Sequence, residues 1–352
     1  MASPTLAYIV DPRFQGGTSA AVAAELEVAA RLARVRFHAI ESRMFAGRTP
    51  APVLAERLMA LGLAADWDNP VIGGDVAILH NPSFLRFQNR LERRILCRDL
   101  VVVTHENLLR PGGAQGFDAA ACLHQIAEAT LCARRWLAPV SAANRRTVED
   151  WAATHPEGAN WRLLPWDWFN IFDLPADPAP RQTAPADRRG RLSRPGAEKF
   201  PGLAELDLCF PEHAQANVIL GADRLLAMGL DRPHWRMLPF GSLPVAEFFE
   251  EIDFLVYFTA PGWRESFGRV LAEAMGAGKV VLTDAATAAP FGNGAIACTP
   301  AEVDAIIARL TGRPDLYDAQ VARGRAAVAA FSGAAFTRCL APFIGRPEEA
   351  AA

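Results

Sequence analysis

Glu265-Ser266-Phe267-Gly268-Arg269-Val270-Leu271-Ala272-Glu273-Ala274-Met275-Gly276-Ala277-Gly278 is the most informative stretch of the 352-residue chain. It follows a strand-like run, Phe254–Phe258, and a loop, Thr259–Arg264, and it precedes a second run, Val280–Thr283. Ser266 is placed to cap a helix that starts near Phe267 and Gly268. Gly268 lets a ligand approach the backbone, and amides at a helix start favour a diphosphate at the positive end of the dipole. Glu265 stands at the mouth of that helix and Glu273 eight residues on. A helical path between them spans up to ~12 Å, about the reach from a transferred sugar to a nucleotide ribose across a diphosphate. Carboxylates suit both ends because they accept hydrogen bonds from sugar hydroxyls. The small residues Ala274, Gly276, Ala277 and Gly278 allow close packing and a sharp helix exit.

Outward from this stretch, apolar runs alternate with helical patterns. Leu6–Val10, Val35–Ile40, Val76–Leu79, Leu100–Thr104 and Trp136–Val140 read as strands, and Thr18–Ala33 as a helix. A second series comprises Asn217–Leu220, Trp235–Leu238, Phe254–Phe258 and Val280–Thr283. Such alternation predicts α/β architecture with parallel sheets. Pro175–Pro185, rich in proline, alanine and charge, reads as a linker. The expected division is residues 1–175, residues 186–328 and a helical tail over 329–352 that packs back on the first domain. Two α/β halves predict a cleft at the carboxyl-terminal strand ends.

The bulk numbers exclude several classes. A net charge of −3 gives no global field for nucleic acid. The six cysteines, Cys97, Cys122, Cys132, Cys209, Cys298 and Cys339, show neither C-x-x-C nor zinc-ligand spacing and read as reduced, mostly buried small hydrophobes. Met1–Pro12 resembles a first strand rather than a signal peptide, and no stretch approaches the ~18 apolar residues of a membrane span. A cytoplasmic location is the expectation. Of 36 basic residues only Lys199 and Lys279 are lysines.

The stretch from Glu265 to Glu273 resembles the Glu-x7-Glu signature of glycosyltransferase family four, whose members have the GT-B fold of two Rossmann-like domains facing each other across a cleft. The resemblance covers most of the chain and is strongest from about Gly190 to Thr283. It implies a retaining, metal-independent transfer from a nucleotide-diphosphate sugar to a glycan, lipid-linked or other hydroxyl acceptor, as in polysaccharide biosynthesis. The nucleotide sugar is a substrate, and no cofactor is implied. In the resembled pattern Glu265 contacts the donor sugar and Glu273 the ribose, while Ser266 and the amides of Phe267 and Gly268 face the sugar and diphosphate. Gly190-Arg191 followed by Lys199 resembles the family's Gly-Arg…Lys pair, two cations on the diphosphate. The family has an apolar strand before this pair, whereas Ala186-Asp187-Arg188-Arg189 makes a poor one. Gly16-Gly17 resembles the amino-terminal glycine loop. His105, in Thr104-His105-Glu106-Asn107, resembles the active-site histidine, with His80 as the second candidate. Pro139-Val140-Ser141 and Leu163-Leu164-Pro165 are architectural in that pattern. The loop with Phe240, Leu238–Leu243, lies where the family holds the nucleobase.

Phe84–Leu100 reads as a basic amphipathic helix, with Phe84, Phe87, Leu91 and Ile95 on one face and Arg86, Arg90, Arg93 and Arg94 beside or opposite it. It is either a surface helix packed on its domain or a peripheral contact for anionic lipid at the inner membrane face. Other readings of the chain stay open: a non-catalytic nucleotide-sugar-binding subunit, or another GT-B enzyme such as a sugar-nucleotide epimerase. A dinucleotide oxidoreductase would need a G-x-G-x-x-G after Leu6–Val10, and none is there.

Overall fold

The structure is a computed structural model that describes residues 3–174 and 183–345, so most of the expected linker, Pro175–Pro185, lies outside the described residues. The chain forms two units, one of residues 1–171 with 333–352, the other of residues 172–332.

The first unit is built on strands β1 (Thr5–Val10), β2 (Arg34–Ala39), β3 (Ala65–Asp66), β4 (Val71–Gly73), β5 (Val76–His80), β6 (Arg94–Leu96), β7 (Asp99–Thr104), β8 (Thr130–Leu131), β9 (Arg134–Pro139) and β10 (Arg162–Leu163). Seven of these pair in parallel in the order β10-β9-β7-β5-β1-β2-β3. The middle strands are apolar on both faces because helices cover both, and Leu6–Val10 and Leu100–Val103 are buried throughout. The helices are α1 (Gly17–Leu32), α2 (Pro52–Ala60), α3 (Ala119–Ala129) and α4 (Ala142–Thr154), where Ser141 caps α4 by accepting from the Asn144 amide.

The second unit carries β11 (Arg188–Leu192), β12 (Ala216–Leu220), β13 (Arg236–Leu238), β14 (Phe254–Tyr257), β15 (Val280–Thr283) and β16 (Ile296–Ala297), all parallel in the order β13-β12-β11-β14-β15-β16. Its helices are α5 (Leu203–Cys209), α6 (Asp223–Ala227), α7 (Val245–Glu250), α8 (Arg269–Gly276), α9 (Ala285–Ala288), α10 (Val303–Gly312) and α11 (Pro314–Ala329). The last helix, α12 (Gly333–Ile344), belongs to the first unit, where Phe336 and Phe343 meet Trp168 and α12 packs on α1.

Three expectations are corrected. Phe84–Leu100 is not a helix. It is a 3-10 turn, Pro82–Phe87, an irregular stretch, and strand β6, which joins β4 and β8 in a small parallel sheet. Phe84, Leu91 and Ile95 are buried there, and Arg93 is an internal strut that donates to the carbonyls of Asn69, Ala39 and Asp66. Arg90 and Arg94 do remain exposed. Second, Arg188–Leu192 is a central strand despite its charges. Arg188 pairs with Asp253 at 2.8 Å, and Arg189 with Asp187 and Asp304 at 2.6 Å each, so the guanidinium groups carry compensating carboxylates inward. Gly190 is required by packing, since a Cβ there would stand 2.6 Å from the Ile252 side chain. Third, Pro314–Ile344 is a 31-residue run long and apolar enough by composition to cross a membrane, although no such stretch was expected. It consists of α11 and α12, which break at Ala330–Ser332, and 44% of its most apolar window is buried.

Candidate functional site

In the second unit, Glu265 lies in the loop between β14 and α8. Lys199 Nζ reaches its Oε1 at 2.6 Å, and the Tyr257 hydroxyl at the end of β14 donates to the same oxygen at 2.7 Å. The Lys199 ammonium also sits 4.8 Å from the centre of the Trp263 ring. Burial alone would push the Glu265 carboxyl up; Lys199, Tyr257 and Trp263 outweigh it and hold the carboxyl below its ordinary value. Burial lowers Lys199, and Glu265 opposes that shift. Only 9% of the lysine and 14% of the glutamate side chain is exposed.

Arg191 is not presented to solvent. Its guanidinium is stacked between Phe200 and Tyr257, 4.6 Å from each ring centre, and donates to the Lys199 carbonyl. It anchors the loop that ends at Lys199.

Ser266 is not the cap of α8. The helix begins at Arg269, and the capping position is Gly268 at φ +84°, a left-handed conformation that favours glycine. Residues 265–268 are non-helical, so the axial estimate between Glu265 and Glu273 holds only for its second half. The first amides of α8 lack intrahelical acceptors and form the positive end of its dipole. The Phe267 side chain is core, stacked on Phe172 and packed edge-on to Phe291 and Phe331, so only its backbone is available to a ligand. Glu273, on the second turn of α8, pairs with Arg269 at 2.9 Å; burial raises its carboxyl and Arg269 opposes the rise. Phe240 is 42% exposed, in a loop held by donation of its amide to Asp223 at 2.9 Å.

In the first unit Gly16 caps α1 and Gly17 is its first residue, and the Ser19 hydroxyl in that first turn donates to the Phe14 carbonyl at 2.6 Å. His105 follows β7 and His80 ends the adjacent β5, so parallel pairing brings them together: His80 Nδ1 and His105 Nε2 are 3.0 Å apart. The loop bearing His105 is tied down. Asn144 donates to Asn107 at 3.0 Å and accepts from Thr104 at 2.7 Å, while Glu106 accepts from Arg86 at 2.6 Å and Arg110 at 2.8 Å.

Sequence reasoning missed Tyr257, Trp263 and Glu25. The chain has only three tyrosines, Tyr8, Tyr257 and Tyr317, all buried; the Tyr257 hydroxyl donates to Glu265 and the Tyr317 hydroxyl to the Asp253 carbonyl. Their scarcity is the same signal that drew attention to Lys199. Among the described residues one group, Asp187, His213 and Asp304, is spaced to share a cation, but the Arg189 guanidinium already touches both carboxylates.

No family model matches the chain, and no curated protein matches it in sequence. Solved structures do match in fold. Anabaena Alr3699/HepE in complex with UDP and glucose is 14% identical, with a TM-score of 0.66 over 98% of this chain and 100% of that one. WaaG, a glycosyltransferase involved in lipopolysaccharide biosynthesis, is 16% identical, with a TM-score of 0.58 over 96% of this chain and 99% of that one. A glycosyltransferase from Rickettsia africae matches at 13% identity and a TM-score of 0.58 over 99% of this chain and all of that one. The fold is that of the GT-B glycosyltransferases. Both GT-B units are present, each a parallel sheet with its candidate residues at the carboxyl-terminal strand ends or the helix starts that follow them.

Proposed function

We propose that this chain is a retaining glycosyltransferase that takes its sugar from a nucleoside-diphosphate donor bound on the second unit. The observation that carries this reading is the Lys199–Glu265 ion pair seated on Tyr257 just ahead of α8. A partly buried cation, a fixed carboxylate and helix-start amides fit a sugar diphosphate: the cation and amides meet phosphate oxygens, and the carboxylate accepts from sugar hydroxyls. Glu273 on the same helix suits the ribose, and the exposed Phe240 suits a base.

No candidate residue is an evident protein nucleophile, so the reaction is written as front-side displacement. The bond from the anomeric carbon to the leaving phosphate breaks, the acceptor oxygen bonds on the same face, and the leaving phosphate takes the acceptor proton. Lys199 and the α8 amides stabilise the developing phosphate charge without a metal, and Arg191 acts by holding the Lys199 loop. His105 orients the transferred sugar. The HepE structure contains UDP and glucose, so UDP-glucose is the first donor to test. The acceptor class proposed is a glycan or lipid-linked hydroxyl, met at a cytoplasmic membrane face.

A thermal-shift screen over UDP, ADP, GDP and their glucose conjugates tests the donor site, because a ligand of the native state raises the midpoint. A rise with one nucleotide that is lost in Lys199→Ala supports the reading; no rise with any of them overturns it. Release of free sugar or transfer product separates an enzyme from a binding subunit, and NMR of the product linkage decides retention against inversion.

A further inference from the structure

Behind His105 lies a buried polar chain that the proposed chemistry does not use. His80 Nε2, the nitrogen turned away from His105, is 3.5 Å from Glu25 Oε2, and the Trp168 indole donates to that same oxygen at 2.9 Å. Glu25 and His80 are both inaccessible to solvent, and Glu25 Oε1 has no hydrogen-bond partner. Glu25 comes from the middle of α1, His80 from the end of β5, His105 from the loop after β7 and Trp168 from the segment after β10. Tyr8 of β1 stacks on His80 at 5.7 Å. An interior carboxyl is costly, and an apolar residue would fill the site at less cost. Its placement against a histidine pair that ends at a candidate sugar-facing residue is what a function explains.

We propose that Glu25 is a positioning residue that acts through His80 to set the tautomer and orientation of His105. The inference rests on the role given to His105 above. A protonated Glu25 donates to His80 Nε2, which leaves the His80 proton on Nδ1, pointing at His105 Nε2; His105 then keeps its own proton on Nδ1. An ionised Glu25 instead accepts from His80 Nε2–H, so His80 Nδ1 accepts from His105 Nε2–H and His105 Nδ1 becomes an acceptor. The nitrogen of His105 not engaged by His80 is thus a donor in one state and an acceptor in the other. A shift of about 0.5 Å brings the Glu25–His80 contact to ordinary hydrogen-bond length.

Burial pushes the Glu25 carboxyl up to about 8, and the Trp168 hydrogen bond works against that rise, so the exchange falls within a workable pH range. Tyr8, Cys339 and His80, which face Glu25, do not compete there. Burial, reinforced by Glu25, raises Tyr8 well above its ordinary value; burial, with Glu25 adding to it, raises Cys339 of α12 to about 12; burial and then His105 hold His80 well below the usual histidine range.

The test is NMR of the full chain labelled with 13C and 15N at histidine, following the ring nitrogen shifts of His105 from pH 6 to 9. In the wild type the His105 tautomer should exchange with a midpoint near 8. Glu25→Gln keeps the acceptor for Trp168 and offers an amide donor to His80, so it should lock the low-pH arrangement and abolish the transition. Trp168→Phe removes the hydrogen bond that stabilises the ionised carboxyl and should move the midpoint upward. A His105 titration in Glu25→Gln identical to that of the wild type overturns the inference; if that variant does not fold, an unmoved midpoint in Trp168→Phe overturns it. Hydrolysis of UDP-glucose by His105→Ala is the separate check on the role of His105. Full activity there sinks that role, and activity lost there beside unchanged tautomers in Glu25→Gln sinks only the relay.

Discussion

At the scale of single residues, the decisive feature of the second unit is the largely buried Lys199–Glu265 pair. Removing one member of such a pair leaves the other stranded, which costs more than the pair is worth. Lys199→Ala is expected to abolish the nucleotide-dependent thermal shift and to lower transfer by roughly 100- to 1,000-fold, the usual loss for a group that meets developing charge. Tyr257→Phe removes one donor to Glu265 and leaves Lys199 in place; a smaller loss, about tenfold, is expected in steady-state turnover, at a stability cost of about 1 kcal/mol. Glu25 makes a stability prediction of opposite sign to the usual carboxylate. Its folded value, about 8, lies above the ordinary 4.5, so the native state holds a proton that the unfolded chain has released. Stability from this group is present below pH 4.5 and is lost as pH rises toward 8. Relative to Glu25→Gln, the wild type should lose on the order of 3–5 kcal/mol between those limits, measured by urea unfolding at several pH values.

At the scale of elements, the turn into α8 concentrates the constraints. Gly268 sits at φ +84°, so any other side chain strains the backbone there. Gly268→Val is expected to cost about 1–2 kcal/mol in unfolding free energy and to weaken nucleotide binding by displacing the first amides of the helix. Gly190→Ala is different in kind. Its Cβ would press on Ile252 and Phe248 within the core, so about 1–3 kcal/mol of overpacking is expected, with nucleotide affinity retained in the folded fraction. Elements were legible in the sequence where they are long and apolar. Leu6–Val10, Val76–Leu79, Phe254–Phe258 and Val280–Thr283 announce their strands because both faces are covered and no charged residue interrupts them. Arg188–Leu192 was not legible, since three arginines in a central strand are tolerable only once Asp253, Asp187 and Asp304 and the rings of Phe200 and Tyr257 stand around them. Phe84–Leu100 misled in the other direction: its apolar spacing suits a helix, but Ile95 is drawn into a sheet by β4 and β8.

At the scale of the whole molecule, the chain leaves the first unit at residue 172 and returns to it at residue 333. Phe336 and Leu340 of α12 are fully buried, and Phe343 and Ile344 nearly so. Burial of large apolar side chains is worth about 1.5–3 kcal/mol each, so four of them approach the total stability of a domain. Truncation after Ser332 is therefore expected to unfold the first unit, seen as early loss of the Trp151 and Trp168 near-ultraviolet signal on heating. The sequence by itself determined the two parallel α/β halves and the string from Glu265 to Glu273, because hydrophobic periodicity and helix-start chemistry are local. Only the tertiary structure decided that Lys199 and Tyr257 share one oxygen of Glu265, that Arg191 faces inward, and that Glu25 stands behind His80 and His105. Those meetings depend on strand order, with β5 beside both β1 and β7 and β11 beside β14, and no local period in a chain encodes which strands become neighbours.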